Sequence, residues 1–323
     1  MRIEYGDGLV INTGGERFVA DADAPRDGIA VISHAHGDHL YRDPPAEAVW
    51  SDLTRALASL RRSGESLPTR VTHPAVDLLD AGHVPGSRAA LIKGDRRILY
   101  TGDVCTRDRL YLDGFEPPPA DVLVVESTYG TPEYEFPLVE ETRAAFADWV
   151  ASQGDRPVIC FGYALGRAQE IEWLLTDTNR ERIFVSDAIA DIDTTIADHL
   201  DVTLPGERYD DLGDVGAGDA LVLPARLRGS WVDDLIESTD ATTAGLSGWA
   251  VDDGFRFARD LDAGFVLSDH CDFSELVDLV RAVDPELVYT LHGSADAFAG
   301  HLTREYGYES TALKPNQSRL SQF

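Results

Sequence analysis

Apolar residues in this chain fall into short runs that end in polar or glycine-rich turns. Residues 8–12 and 17–21 flank the pair Gly14-Gly15, a pattern that predicts a β-hairpin. The β-branched run at 28–32 predicts a buried strand. Similar runs recur further along the chain, at 97–100, 121–125, 264–268 and 287–291. Each of these predicts a strand inside a sheet.

From about residue 138 the pattern changes to helices and strands in alternation. Helical patterns at 139–152 and from Gly166 to about Thr176 are separated by a strand-like run at 157–161. Another strand-like run follows at 182–186. Alternating elements of this size are typical of a small parallel sheet. The sequence therefore predicts an α/β protein whose middle section has its own parallel sheet.

The segment Ser33–His39, of sequence Ser-His-Ala-His-Gly-Asp-His, directly follows the strand predicted at 28–32. Imidazole nitrogens and carboxylate oxygens at this density are typical ligands of a zinc-type cation. Without a metal, so many polar groups packed together would be costly to desolvate. We therefore interpret the segment as a metal-binding loop rather than as a polar loop that happens to be rich in histidine.

Other strand ends carry the same chemistry. Chelating or acid–base side chains stand just past an apolar run or on a glycine-rich turn at six positions: His36, His83, Asp103, Glu126, His270 and His292. A single strand-end aspartate or histidine is more often a turn or packing residue. The prediction of a shared site therefore depends on the occurrence of all six in the same kind of position. Together the six positions predict one edge of a sheet at which these side chains converge.

The charge is strongly negative. The chain has 28 Lys and Arg against 57 Asp and Glu, a formal net charge of −29, and lysine occurs only at Lys93 and Lys314. The acidic residues are dispersed, which predicts a protein that stays soluble at high salt and comes from a salt-loving source. This charge argues against broad, non-specific binding of nucleic acid at low salt, although it leaves room for a locally basic groove.

The cysteines Cys105, Cys160 and Cys271 are odd in number and far apart. We therefore expect buried apolar residues in a reducing cytoplasm rather than a disulfide framework. No apolar stretch approaches the length of a membrane span, and the N-terminus lacks the apolar core of a signal peptide. We expect a cytoplasmic protein without a membrane partner.

The segment Ser33–His39 resembles the metal-binding motif of the metallo-β-lactamase superfamily. Gly82-His83, Thr101-Gly102-Asp103 and His292-Gly293 follow in the order of that superfamily. The resemblance implies a four-layered αββα sandwich with the metals at one edge of its two sheets.

Further segments resemble motifs of the β-CASP nuclease subgroup: Val124–Gly130 around Glu126, Phe161–Glu170 with its Gly-Arg-x-Gln pattern, Leu267–His270, and His292. The match spans nearly the whole chain. It implies a metallo-β-lactamase domain whose first part is 1–140 and whose last part is 263–323. A small α/β β-CASP-like domain would be inserted at 141–262.

The resemblance implies two metal ions, expected to be zinc, with manganese or another divalent metal as an alternative. One ion would be held by His34, His36 and His83, and the other by Asp38, His39 and His292, with Asp103 as the bridge. A hydroxide activated by two such metals attacks the phosphorus of a phosphodiester, and Asp38 counts among the catalytic residues.

Two further residues are implied in the proton chemistry. His270 is the candidate general acid for the leaving 3′-oxygen. Glu126 would raise the imidazole pKa so that a proton is kept near neutral pH. The alternative for Glu126 is a structural carboxylate behind the ligands.

Three more residues have candidate supporting roles. Asp21 resembles the first aspartate of the superfamily, which orients the metal loop from behind, and Asp23 is the alternative. Arg167 and Gln169 stand at a predicted helix start, where they would contact a phosphate group or else brace the domain interface.

The motifs favour DNA over RNA as the substrate, although they do not all agree. The stretch between Glu126 and His270 is short for the RNA-processing members, and Ser268-Asp269-His270 looks more like the DNA exonuclease branches. His292, however, is a residue that the crosslink-repair exonucleases tend to lack. We expect a single-strand DNA exonuclease close to the ligase-associated type, with DNA-repair partners. The alternative is an RNA-processing endo- or exoribonuclease, similar to archaeal mRNA 3′-end processing factors, with RNA-processing partners.

Two other function classes fit less well. A small-molecule hydrolase, such as a thioesterase or lactonase, shares the metal cluster but has no counterpart of Glu126, residues 166–170 or His270. A non-catalytic nucleic-acid-binding subunit would have lost metal ligands, which this chain retains.

Overall fold

The computed structural model describes residues 1–62, 64–209, 215–225 and 229–314. The chain divides into two units. Unit 1 contains Met1–Arg107, Asp113–Tyr134 and the residues from His270 onward, and unit 2 contains Asp108–Leu112 and Glu135–Asp269. Residues 315–323, which end the predicted last part of the first domain, lie outside the described residues.

The first sheet of unit 1 has six strands in chain order. They are β1 (Arg2–Gly6), β2 (Gly8–Thr13), β3 (Glu16–Ala20), β4 (Ile29–Val31), β5 (Glu47–Val49) and β6 (Thr69–Val71). Strands β1 to β3 pair antiparallel, with the predicted hairpin at Gly14-Gly15 joining β2 to β3, and β3 to β6 pair parallel. Helix α1 (Asp52–Arg61) begins after Ser51, whose side chain accepts a hydrogen bond from the Thr54 amide, as a helix N-cap does.

The second sheet of unit 1 also has six strands. They are β7 (Val76–Asp80), β8 (Arg88–Lys93), β9 (Arg97–Tyr100), β10 (Val122–Glu126), β17 (Leu287–Leu291) and β18 (Glu309–Ala312). Their order is β18-β17-β10-β9-β8-β7, with antiparallel pairing from β7 to β9 and parallel pairing from β9 to β18. The parallel strands therefore end at one edge of the sheet.

The two sheets share one apolar core, in which Ile11 and Phe18 of the first pack with Ile92 and Val124 of the second. The other face of the second sheet is covered by helices α7 (Phe273–Val283) and α8 (Ala295–His301), followed by the π-helix Leu302–Tyr306. Helix α7 begins with a capping box, because Asp272 and Glu275 each accept the other's backbone N–H. Two facing sheets with helices outside match the layered sandwich that the sequence predicts.

Unit 2 is built on a fully parallel sheet of the order β13-β12-β14-β11-β15-β16. Its strands are β11 (Val158–Gly162), β12 (Ile183–Val185), β13 (Glu207–Arg208), β14 (Ala220–Pro224), β15 (Thr242–Leu246) and β16 (Ala263–Phe265). Its helices are α2 (Val139–Ser152), α3 (Arg167–Thr176), α4 (Asp187–Ala197), α5 (Ser230–Thr239), a 3₁₀ helix (Gly248–Val251) and α6 (Phe255–Ala258). Two apolar clusters, one on each face of the sheet, form its core.

The predicted fold class, an αββα metallo-β-lactamase sandwich with an inserted α/β domain, is confirmed. The boundaries differ from the predicted ones. Residues 263–269 belong to unit 2, because β16 pairs with β15 there. Residues 135–140 also group with unit 2. The segment Asp108–Leu112 does so too, because Leu110 packs on its core and Arg109 forms an ion pair with Glu170.

All three cysteines are buried and free. Among the described residues, no helix is both long and apolar enough to cross a membrane.

Candidate metal centre

The predicted ligands lie in unit 1, and most of them follow the ends of its parallel strands. The loop after β4 carries His34, His36, Asp38 and His39. Asp103 follows β9 and His292 follows β17, while Glu126 is the last residue of β10. Parallel pairing from β9 to β17 brings these strand ends to one edge, which is the convergence that the sequence predicts.

Three histidines and one carboxylate form a first group. The ligand atoms of His34, His36, His83 and Asp103 all lie within 4.8 Å of one another. Nε2 of His83 is 3.1 Å from Nδ1 of His36. Oδ2 of Asp103 lies 3.5 Å from Nε2 of His34 and 3.7 Å from Nε2 of His83. This is the set that the resemblance assigns to one metal plus the bridge.

The remaining predicted ligands lie beside this group. Nε2 of His39 is 3.4 Å from Oδ2 of Asp103, and the rings of His39 and His292 are 5.6 Å apart. Burial opposes ionisation of Asp38, but the charges of His39, His36 and His292 outweigh it and lower the pKa of this carboxyl. Asp103 therefore faces ligands of both predicted groups, as a bridge must.

The electrostatics of the first group fit a cation. Burial, together with the neighbouring imidazoles, lowers the pKa of His34 well below its usual range, so His34 is neutral. Its Nε2 is buried and has no hydrogen-bond partner among the described residues. A buried, neutral imidazole nitrogen that faces a carboxylate has the lone pair and the surroundings of a zinc ligand.

The second group favours a positive charge. Burial alone would lower the pKa of His39, but the carboxylates of Asp103, Asp21 and Asp38 raise it to about 10. The three carboxylates around His39 therefore stabilise a positively charged group at this place. A divalent ion supplies more positive charge than one proton does, so the donor set fits the group that the fold implies.

Asp21 lies directly behind this cluster, as predicted. Its carboxylate accepts hydrogen bonds from the Ser33 amide at 2.8 Å, the Ser33 hydroxyl at 2.6 Å and the Tyr100 hydroxyl at 2.8 Å. It also lies 2.9 Å from Nδ1 of His39, which fixes the orientation of that ring. The alternative, Asp23, lies instead beside Arg42 with a half-exposed side chain.

Sequence reasoning missed Ser33 and Tyr100 as members of the site. The Ser33 hydroxyl lies 2.9 Å from Nδ1 of His34 and bonds Asp21, so it connects two site residues. Because Ser33 is the first residue of the histidine-rich segment, its position in the sequence could have identified it as a site residue. Tyr100 is the last residue of an apolar strand, and nothing in its local pattern separates it from a core residue.

Unusual backbone conformations occur beside the ligands. His292 has φ of 58° and Asp21 has φ of 49°, in the left-handed region that non-glycine residues rarely adopt. Gly82, which precedes His83, has φ of 67°, and a Cβ there would lie 2.2 Å from the Cys105 carbonyl oxygen. Glycine at position 82 therefore lets the His83 turn approach the loop after β9.

A second pair of acid–base groups lies next to Asp103. Nδ1 of His270 is 2.8 Å from Oε1 of Glu126, and ligand-type atoms of both residues lie within 4.8 Å of Asp103. Burial opposes ionisation of Glu126, but His270 and the hydrogen bond from the Thr128 amide keep its pKa below the usual range. Glu126 is therefore an ionised carboxylate that orients the His270 ring.

Arg167 and Gln169 are buried inside unit 2 at the start of α3. Arg167 pairs with Asp269 at 2.7 Å and with Glu170 at 3.2 Å. Gln169 donates to Asp193 and accepts from the Gly166 amide. These contacts are internal to unit 2, and the predicted contact of either residue with a phosphate group stays a prediction.

Comparisons with known proteins agree with this picture. Residues 265–313, which include His270 and His292, match the family described as the Zn-dependent metallo-hydrolase RNA specificity domain. A probable DNA ligase from Opitutus terrae is 32% identical over 302 residues, which are 90% of this chain and 29% of that protein. Cleavage and polyadenylation specificity factor subunit 3 from Dictyostelium discoideum is 32% identical over 155 residues, 46% of this chain and 20% of that protein. The chain thus spans less than a third of the length of either relative.

A solved structure extends the likeness to the whole fold. The crystal structure of a protein of unknown function from Enterococcus faecalis V583 covers 97% of each chain with a TM-score of 0.64 at 15% identity. Fold, motif order and sequence matches together confirm the predicted resemblance of this chain to the β-CASP nuclease subgroup of the metallo-β-lactamase superfamily.

Proposed function

We propose that this protein is a zinc-dependent hydrolase of phosphodiester bonds in nucleic acid, and that it degrades single-stranded DNA from an end. The observation that carries the proposal is the His270–Glu126 pair, 2.8 Å apart and adjacent to Asp103. A thioesterase on the same cluster has no need of such a pair, because a thiolate leaves without a proton. Cleavage of a phosphodiester is accelerated by one, since the sugar oxygen is a poor leaving group unless it is protonated.

The ligand set divides into His34, His36 and His83 for one ion, and Asp38, His39 and His292 for the other, with Asp103 shared. When bound, two zinc ions lower the pKa of a water molecule and neutralise charge on the phosphodiester. Asp21 keeps His39 in the orientation that a ligand requires, through the contact at Nδ1.

His270 supplies the proton. Its Nδ1 is engaged by Glu126, so the proton on Nε2 is the one available to the leaving 3′-oxygen. The ionised Glu126 stabilises the protonated form of the imidazole. As the bond from phosphorus to the 3′-oxygen breaks, the proton passes to that oxygen, and Glu126 keeps the ring oriented.

The extent of the alignment with one relative favours DNA as the substrate. The probable DNA ligase from Opitutus terrae aligns with 90% of this chain, whereas the cleavage and polyadenylation factor aligns with 46%. Similarity to a segment of a protein named for joining DNA supports a role in trimming DNA ends, with ligation or repair proteins as partners. The reducing cytoplasm remains the proposed location.

RNA is the second candidate. The match of residues 265–313 to an RNA specificity domain favours it, because this segment includes His270 and His292. In this case the partners would belong to RNA processing.

A time course on single strands of DNA and RNA, labelled at the 5′ or the 3′ end, tests the proposal. In molar salt with zinc present, we expect mononucleotide release from one end of DNA and slower or no release from RNA. The Asp103→Ala variant should abolish it, since both predicted groups of ligands face Asp103. Preferential cleavage of RNA would support the second candidate. Hydrolysis of a thioester without action on any oligonucleotide would contradict both.

A further inference from the structure

His270 differs from the other site residues in how its backbone is held. His34, Asp103 and His292 follow strands of unit 1, and Glu126 ends one, so the sheets fix their backbones. His270 begins the last segment of unit 1, and the described residues just before it belong to unit 2. A general acid has to be placed accurately, and side-chain and backbone contacts within unit 1 hold this residue.

The side chain of Arg107 contacts the backbone of His270. Nη2 of Arg107 donates to the His270 carbonyl oxygen at 3.1 Å. Nε of Arg107 lies 3.0 Å from Oε1 of Glu275, and the two side chains form an ion pair. The side chains of Arg107 and Glu275 are each only 19% exposed. Partly shielded from water, this ion pair is held more firmly than one on the open surface.

Glu275 is itself fixed by the start of α7. The Asp272 amide donates to Oε2 of Glu275 at 2.9 Å, and the Glu275 amide donates to Oδ1 of Asp272 at 2.9 Å. The guanidinium of Arg107 therefore joins a rigid helix cap to the carbonyl of His270.

The segment between Asp103 and Arg107 provides a second attachment. The amide of Cys271 donates to the Val104 carbonyl oxygen at 2.9 Å. Both sides of the peptide bond between His270 and Cys271 are thus held by residues 104–107, which directly follow the bridging Asp103. The loop after β9 fixes the general acid relative to the metal ligands.

We propose that Arg107 is a positioning residue, which acts through His270 by holding its backbone where the imidazole can protonate the leaving oxygen. The inference rests on the proposed function of His270. A planar guanidinium can form an ion pair with a carboxylate and donate from Nη2 to a carbonyl at the same time, whereas a lysine ammonium is a single point charge. A misplacement of about 1 Å in a catalytic group can cost on the order of 100-fold in rate.

The test distinguishes a role of Arg107 in protonation of the leaving group from a role in the fold or in metal binding. A DNA oligonucleotide, whose leaving oxygen must be protonated, is compared with bis(4-nitrophenyl) phosphate, whose leaving group needs no proton. We expect Arg107→Ala to lower kcat on DNA about 100-fold with little change in KM, and to lower the rate on the aryl ester only a few-fold. Arg107→Lys should recover part of the loss, and His270→Ala should have the same selective pattern as Arg107→Ala.

Zinc content and melting temperature are measured on every variant. The matched control is Arg281→Ala, which removes an exposed arginine from α7 that pairs with Asp278. We expect the control to retain activity on both substrates, and Arg107→Ala to keep its zinc. Equal losses on both substrates, or lost zinc, would assign Arg107 to the fold or the metal site and overturn the inference.

The remaining outcomes distinguish this inference from the function on which it depends. Selective loss on DNA in His270→Ala but not in Arg107→Ala would overturn the role of Arg107 alone. If His270→Ala slows both substrates equally or neither, His270 is not the general acid, and both proposals fail.

Discussion

At the scale of single residues, Asp21 connects three residues of the site from behind the candidate ligands. It bonds Ser33, His39 and Tyr100, and it does so from a left-handed backbone conformation. Such a conformation costs free energy and persists only where the surroundings impose it. The hydrogen bonds from Ser33 and Tyr100 hold Asp21 in this conformation, in which its carboxylate orients His39.

Asp21→Asn should therefore weaken zinc binding without unfolding the protein. Asparagine tolerates the left-handed region, so the backbone is unaffected, but the charge opposite His39 is lost. We expect the affinity for zinc to fall about 10- to 100-fold, the usual effect of removing such a partner. Competition with a chromophoric chelator measures it, and Asp23→Asn, at the exposed alternative position, is the control. Equal affinities in the two variants would contradict the assignment.

The candidate ligands could be singled out in the sequence because each is locally marked. His34 to His39 form a dense motif, and Asp103 and His292 stand next to glycine at the ends of apolar runs. Tyr100 could not be predicted, because its contact with Asp21 depends on how two sheets face each other. The role of Arg107 could not be predicted either, because its partner His270 lies 163 positions away in the sequence.

At the scale of secondary-structure elements, the domain boundaries were harder to predict than the elements. Helix α2 has the limits that its periodicity predicts, 139–152, and α3 (Arg167–Thr176) begins one residue after its predicted start. The strand β16 was expected in the last part of the first domain, but it pairs with β15 in unit 2. An apolar run predicts a strand, and it carries no information about which sheet the strand will join.

Helices α3 and α4 contain an acidic pair that forms no ion pair with any residue in the described part of the chain. Glu172 and Asp193 are buried and hydrogen-bonded to each other, and Gln169 donates to Asp193. A hydrogen bond between two carboxyl groups requires a proton on one of them. Burial, together with the charge of Asp193, raises the pKa of Glu172 to about 9, and burial raises the pKa of Asp193 to about 7.

This pair should make unit 2 less stable at alkaline pH. In the unfolded chain both carboxyls ionise near pH 4, so above that pH the folded state binds more protons than the unfolded state. The stabilisation is complete below about pH 4 and is lost as the pH rises through about 7 and 9. Glu172→Gln keeps a neutral group there, so its stability should fall less between pH 5 and pH 9.

Urea denaturation followed by tryptophan fluorescence across this pH range measures the effect. Between pH 5 and pH 9 we expect the free energy of unfolding of the wild type to fall by several kcal/mol more than that of Glu172→Gln, since one bound proton changes it by about 1.4 kcal/mol per pH unit. Glu237→Gln, which changes an exposed carboxylate on α5 of the same unit, should leave the wild-type slope unchanged. Identical slopes in wild type and Glu172→Gln would mean that the pair is ionised in the native state.

At the scale of the whole molecule, the net charge of −29 opposes compaction. Many of the ion pairs in the described part of the chain are exposed, such as Arg208 with Asp191 and Lys93 with Asp77, and exposed pairs contribute little to stability. Salt screens the repulsion among the remaining carboxylates, since the screening length falls from about 10 Å at 0.1 M to about 3 Å at 1 M.

We therefore expect the melting temperature at fixed zinc to rise by at least several degrees from 0.1 M to 2 M potassium chloride. Potassium chloride acts mainly by screening at these concentrations, so most of the rise should come below 1 M, where the screening length shortens most. Nucleic-acid binding has the opposite dependence, because salt weakens contacts with phosphate groups. Activity should consequently pass through a maximum at intermediate salt, with unfolding limiting it below and substrate binding above. A constant melting temperature with activity highest in dilute buffer would contradict the adaptation to salt, and it would leave the composition of this chain without a physical explanation.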